Sequence, residues 1–360
     1  MSEYGYKYLV LDEVRHCACA LHPARRACAL RAAVVHRGAR AAPCAQHLQS
    51  CIAELDAFTQ GWSKRDGQIL TDSYGRPTPN TDMYPSAANG AGLRPLVDAL
   101  AARGLKLGLW FMRGVPRSAA AQRLPVFGST TNSTCFEAAR FDKPCAWSTS
   151  CHGSSFPSAA ASEYYNSVAQ LLTEWGVAFV KADCFFPSMP YPGPQPHGYY
   201  DEDIIGFGAA MKAANVTVSW SPGISVTPAN GTFIARNGYG ASYRVSEDMW
   251  DLFDSAADGT FPSGVRQKLH LSEQYAHLIG ANNSFPDWDM LPLGTMMHAS
   301  KEKGVYGPAS PTFLTRDEQR TVMTLWSITR APLMFGGRLP LDVNDTWTLP
   351  LISACTRDCA

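Results

Sequence analysis

Apolar positions recur at two different periods along this chain, and from residue 91 onward the two alternate. "GLRPLVDALAARG" (92–104) repeats its apolar residues at three- and four-residue steps and ends on Gly104, which predicts a helix closed by glycine. "LKLGLWFM" (105–112) is a continuous apolar run of strand length. The alternation continues with a helix over 161–176, a strand over 177–183, a helix over 201–215, a strand over 216–220 and a strand-like stretch over 241–248. A helix over 263–280 precedes the short piece "PDWDML" (286–291). The helix predicted over 315–330 opens on Thr315 as N-cap with acids in its first turn, and "APLMFGG" (331–337) follows as a buried strand. With "YKYLVLD" (6–12) the pattern supplies seven strands. Apolar strands alternating with amphipathic helices imply an α/β fold with a parallel sheet. A doubly wound sheet and a TIM (β/α)8 barrel both satisfy the pattern. No GxGxxG follows the first strand, which weakens a nucleotide-binding fold.

Residues 14–53 interrupt the pattern. They are rich in Ala, Arg, Cys and His and hold no acidic residue before Glu54. We expect a low-complexity insertion that packs poorly, set within a barrel domain made of 1–13 and 54–354.

Bulk composition narrows the function classes. The 360 residues are 46% hydrophobic and 17% charged, with zero formal net charge. That balance suggests no nucleic-acid partner. No apolar run has the length of a membrane span. The start of the chain has no signal-peptide pattern, yet Asn-x-Ser/Thr sequons occur at Asn132, Asn215, Asn230, Asn282 and Asn344. Five sequons among ten asparagines favour a history in the secretory pathway, extracellular or vacuolar/lysosomal. The 11 cysteines include no CxxC pair and fit no zinc template. Nine tryptophans suit a sugar site, because pyranose C–H faces stack on aromatic rings.

The candidate chemistry lies at strand ends. Asp12 and Glu13 close the first strand, Arg113 follows "LGLWFM", Lys181 and Asp183 close the strand over 177–183, and Arg244 and Asp248 close the stretch over 241–248, just before Trp250. Asp287 and Asp289 sit in "PDWDML". Lys181 and Asp183 are two apart on a strand and must share a face. In a barrel all these ends meet at one mouth. Two carboxylates at one mouth are what glycoside hydrolysis requires, one to attack the anomeric carbon and one to protonate the leaving oxygen. Lys181 is expected to lower the pKa of the first, and burial against Trp250 to raise that of the second. Divalent-metal binding is the competing reading of the same carboxylates, and the interleaved Lys and Arg count against it. No metal and no cofactor are expected.

"GYKYLVLDE", "GLKLGLWFMRGVPR", "WGVAFVKAD", "YRVSEDMWD", "PDWDMLPLG" and "DEQRTVMTLWSITRAPLMFGG", in this order, resemble the melibiase-type α-galactosidase/α-N-acetylgalactosaminidase family, glycoside hydrolase family 27-like. The resemblance covers roughly residues 4–13 and 67–340. It implies a retaining hydrolase of terminal α-linked galactose, with Asp183 as nucleophile and Asp248 as acid/base. It further implies that Asp12, Glu13, Arg113, Lys181, Ser219, Arg244, Trp250, Asp287 and Asp289 bind or support the sugar. The family's first strand, with its Trp-Asn motif, and its C-terminal antiparallel β domain have no counterpart here, so the expected fold is a TIM barrel lacking both. The Asp12 strand and "APLMFGG" are expected to flank the missing strand. The "SWSPG" stretch (219–223) lacks the glutamate that many α-galactosidases carry there. Specificity for α-N-acetylgalactosamine, or a sugar-binding or inactive remnant of the same family, are the alternatives.

Overall fold

The computed structural model describes residues 8–11, 30–33, 61–65, 68–143, 145, 148–185, 201–221, 227–237, 239–254, 262–297, 309–339 and 345–354. Its centre is an eight-stranded sheet. In chain order the strands are β1 (Tyr8–Leu11), β2 (Leu30–Ala33), β3 (Lys106–Met112), β4 (Phe179–Asp183), β5 (Thr217–Ser221), β6 (Ser242–Arg244), β7 (Phe285–Asp287) and β8 (Arg338–Leu339). Their order across the sheet is β7-β6-β5-β4-β3-β1-β2-β8. The run from β1 to β7 without β2 is parallel throughout. Strand β2 pairs antiparallel with β1 on one side and with β8 on the other.

Helices cover the outer face. They are α1 (Arg94–Ala101), α2 (Ala159–Trp175), α3 (Asp201–Ala213), α4 (Pro228–Asn237), α5 (Val265–Tyr275), α6 (Arg316–Ile328) and α7 (Thr348–Ala354). Local chemistry sets several ends. Ser158 caps α2 by accepting the Ala161 N–H, and Gly176 closes it in the left-handed region at φ 80°. Thr315 and Glu318 form a capping box at the start of α6. The α4 helix was not expected from the pattern, and the expected 263–280 helix gives way after Tyr275 to a short 3-10 turn.

Strand parity divides the core. Leu107, Leu109 and Phe111 of β3, Val180 and Ala182 of β4, Val218 and Trp220 of β5 and Tyr243 of β6 join one cluster with the buried faces of the helices. Phe207 of α3 packs there against Phe111, Tyr165, Phe185 and Trp220. The alternate residues take the inner face.

Within the stretch 14–53, expected to pack poorly, Leu30–Ala33 lies between β1 and β8, where the missing strand was expected. Residues 12–29 and 34–53 lie outside the described residues. "APLMFGG" was expected to be a strand, but a single bridge joins Phe335 to Leu291. Two backbone bonds support it, Leu291 N–H to Met334 O at 2.6 Å and Gly336 N–H to Leu291 O at 2.9 Å. Glycine is required at this seam, because a Cβ on Gly337 would stand 2.2 Å from the Leu293 carbonyl oxygen. Among the described residues the ladder therefore approaches a ring without a paired strand closing it.

Candidate active site

The inner face gathers polar residues at neighbouring strand ends. Register places Ser219 beside Lys181 and Ser221 beside Asp183. It places Ser242 beside Ser219, and Asp287 beside Arg244. Trp110 and Met112 of β3 stand beside Lys181 and Asp183 from the other side. The same-face expectation for Lys181 and Asp183 agrees with the burial of β4, where both are only half-buried while Val180 and Ala182 are fully enclosed.

Both Asp183 carboxyl oxygens are held. The Trp110 Nε1–H donates to Oδ2 at 3.0 Å, and the Cys184 backbone N–H donates to Oδ1 at 2.6 Å. A disulfide between Cys145 and Cys184 anchors the residue directly after Asp183. The sequence led us to expect cations to lower the Asp183 pKa. Instead burial raises it, and Arg244, Lys181 and the two N–H donors only partly offset that.

Arg244 links the carboxylates across the mouth. Its Nη1 lies 2.9 Å from Asp248 Oδ1 and 3.7 Å from Asp289 Oδ1. Burial opposes its charge, but Asp289, Asp248, Asp183 and Glu247 together push its pKa further up. Arg244 Nε and Ser221 Oγ are buried with no hydrogen-bond partner among the described residues. Unsatisfied buried polar atoms at such a site suit the hydroxyls of a ligand.

Asp289 has a backbone φ of 81°, a region that aspartate tolerates better than most residues. Its N–H donates to Asp287 Oδ1 at 2.8 Å, and its Oδ2 accepts the Met249 N–H at 2.6 Å. The carboxylate thus ties β7 to the segment that carries Asp248. Asp287 is pushed up to about 6 by burial and by Asp289, against its bond from the Asp289 N–H and the pull of Arg244 and Lys181. A raised carboxyl pKa costs stability as pH climbs, because the native state holds the proton that the unfolded state releases. Asp287→Asn keeps an acceptor for the Asp289 N–H and removes that cost. Its stability should match the native chain near pH 4 and exceed it by roughly 3 kcal/mol at pH 7. Denaturant melts at both pH values check this, and a pH-independent difference would contradict it.

Other expected site residues are placed differently. The side chain of Arg113 is 1% exposed and bound to Asp203 at 2.7 Å, Cys184 O at 2.8 Å and Lys143 O at 2.6 Å. It braces the chain behind Asp183, and its guanidinium is committed to the protein. Trp250 is 1% exposed, so its ring packs in the interior and offers no open face. Ser219 is buried and accepts a hydrogen bond from Ser242 Oγ at 2.9 Å. Asp12 and Glu13 lie outside the described residues. Sequence reasoning missed Trp110, Asp203 and Lys268. An indole inside a strand looks like ordinary core, and only the register with β4 shows it beside Asp183. Among the described residues no group of three or more His, Cys, Asp or Glu side chains could hold a metal ion.

No protein-family model matches the chain, and no curated protein does. Solved structures do match. A glycoside hydrolase family 27 β-L-arabinopyranosidase from Geobacillus stearothermophilus is 32% identical, with a TM-score of 0.69 over 82% of this chain and 64% of that one. A candidate α-N-acetylgalactosaminidase from Bacillus halodurans C-125 is 33% identical, with a TM-score of 0.62 over 80% of this chain and 61% of that one. An isomalto-dextranase from Arthrobacter globiformis T6, at 17% identity and a TM-score of 0.58, shares the fold. The chain thus spans less than two thirds of the length of the first two.

Proposed function

The chain belongs to the melibiase-type, family 27-like glycoside hydrolases, and from that premise we propose that it hydrolyses terminal α-linked galactose with retention of configuration. The observation that carries the reading is the mouth itself. Asp183 at the end of β4 is fixed by two N–H donors, and Arg244 at the end of β6, with β5 between them, pairs with Asp248 and feels the charge of Asp183.

The chemistry follows from those positions. An Asp183 oxygen attacks the anomeric carbon while Asp248 gives its proton to the glycosidic oxygen, so the aglycone leaves as an alcohol and a glycosyl ester remains. Asp248, now ionised, takes a proton from water, whose oxygen displaces Asp183 from the same face that the aglycone left. The ion pair with Arg244 must loosen for Asp248 to carry the proton. Asp289, 3.7 Å from the same Nη1, is placed to take over the guanidinium. Lys181, Arg244, Asp287 and Asp289 supply donors and acceptors for sugar hydroxyls, and Asp12 and Glu13 join them in this reading.

A β-L-arabinopyranoside is the second reading, favoured by the Geobacillus relative. The two sugars share their ring stereochemistry and differ by the hydroxymethyl group on C5. An α-N-acetylgalactosaminide differs only at C2. The test is to incubate the chain with nitrophenyl α-galactoside, β-L-arabinopyranoside and α-N-acetylgalactosaminide and follow the first-formed anomer by proton NMR. We expect the galactoside to be cleaved fastest, with α-galactose released first. Release of the opposite anomer, or no cleavage of any of the three, would overturn the proposal. We also propose passage through the secretory pathway, since Asn132, Asn215 and Asn282 are exposed. Endoglycosidase treatment of material from the native host should then lower its apparent mass.

A further inference from the structure

Lys268 presents a puzzle that the glycosidase reading leaves open. It lies on α5, on the helix side of the mouth, and is 0% exposed. A buried ammonium loses its hydration, and a methionine would fill similar space without that cost. Burial draws its pKa down to about 7, Arg244 adds to the depression, and Asp289, Asp248 and Asp287 oppose it.

Its partners are Ser246 and Glu247 in the turn after β6, and Ser263 just before α5. The Nζ donates to Ser246 Oγ, to Ser263 Oγ at 2.8 Å and to Glu247 O at 3.3 Å. Ser246 Oγ–H turns back to Glu247 O at 3.0 Å. Ser263 Oγ lies 3.0 Å from Glu247 O and 3.2 Å from Asp248 O. Both hydroxyl protons are therefore used on carbonyls, and all three bonds to Lys268 call for an N–H on the lysine. The Ser263 backbone extends the grip, with its N–H donating to Asp248 O at 3.1 Å and its carbonyl accepting the Trp250 N–H at 3.0 Å. The backbone on both sides of the Asp248 side chain is thus pinned to one buried ammonium and one serine.

We propose that Lys268, acting through Ser246 and Ser263, is the positioning residue that holds the turn carrying Asp248 and so aims the acid/base carboxyl at the glycosidic oxygen. The inference rests on the reading of Asp248 as acid/base. It predicts a defect in proton donation specifically, which a general structural role would not give. Proton donation matters most when the leaving alcohol is weakly acidic, and little when it is a dinitrophenol.

The test compares kcat/KM for an α-galactosyl disaccharide and for 2,4-dinitrophenyl α-galactoside, in the native chain, in Lys268→Met and in Asp248→Ala. Lys268→Met should lose about 10- to 100-fold on the disaccharide and stay within about threefold on the dinitrophenyl substrate. Asp248→Ala should show the same contrast on a larger scale. Equal losses on both substrates, or no loss on either, would overturn the positioning role. If Lys268→Met does not fold, Ser263→Ala decides the matter by the same contrast, since it removes the hydroxyl that joins the lysine to the Glu247 and Asp248 carbonyls while leaving the charge in place. Absence of the contrast in Asp248→Ala would remove the acid/base reading and this inference with it. A contrast in Asp248→Ala without one in Lys268→Met or Ser263→Ala would remove the inference alone.

Discussion

Replacing Asp183 by alanine should lower turnover of a nitrophenyl α-galactoside by on the order of 10⁴-fold or more, the scale seen when a covalent nucleophile is deleted. The fold should survive. The loss leaves the Trp110 Nε1–H without its carboxylate, a cost of about 1–3 kcal/mol, while the buried Arg113–Asp203 pair and the Cys145–Cys184 disulfide behind the site stay intact. Azide added to the variant should enter the space left by the carboxylate and attack the anomeric carbon directly. The product is then a galactosyl azide of inverted configuration, identified by NMR. The pH profile offers a second readout. Asp183 must be ionised to attack, and burial raises its pKa, so the acidic limb of kcat/KM in the native chain should lie above the usual aspartate range. Unchanged turnover in Asp183→Ala would remove Asp183 from the mechanism.

Replacing Asp248 by alanine should act differently. On a disaccharide kcat/KM should fall by about 10²- to 10⁴-fold, the range for loss of a general acid, with a much smaller fall on a dinitrophenyl galactoside. Hydrolysis of the glycosyl ester then becomes slow, because no base activates water. Azide should bypass that step and give a galactosyl azide of retained configuration. The opposite anomers from the two variants separate the two roles without reference to rate. Arg244 loses one partner in this variant but keeps Asp289 within 3.7 Å, so no buried charge is left unpaired. A thermal melt close to that of the native chain checks this.

Sequence pattern read the scaffold well where a local cause existed. The α6 start was legible because Thr315 and Glu318 form a capping box within one turn. The α2 end was legible in Gly176. The shared face of Lys181 and Asp183 follows from strand parity alone, and their neighbours Ser219 and Ser221 follow by register. What escaped depends on partners distant in sequence. The Trp110 bond to Asp183 spans 73 residues, and that of Arg113 to Asp203 spans 90. The stretch over 241–248 read as strand to its end, but the sheet takes only Ser242–Arg244, and Ser246, Glu247 and Asp248 are drawn to Ser263 and Lys268 instead. Lys268 itself sits among Arg266, Gln267 and His270, where a lysine reads as a solvated helix face. The seam at "APLMFGG" was apolar enough for a strand, yet among the described residues its backbone makes one bridge only.

The most direct measurement of the central claim is to trap the glycosyl ester. The chain would be incubated with 5-fluoro-α-galactosyl fluoride, whose fluorine slows the second displacement more than the first, then digested and analysed by mass spectrometry. The account predicts one modified peptide, with the 5-fluorogalactosyl group on Asp183 and blocked by prior addition of galactose. A chain that hydrolyses α-galactosides while carrying the label on Asp248, on any other carboxylate or nowhere would contradict it.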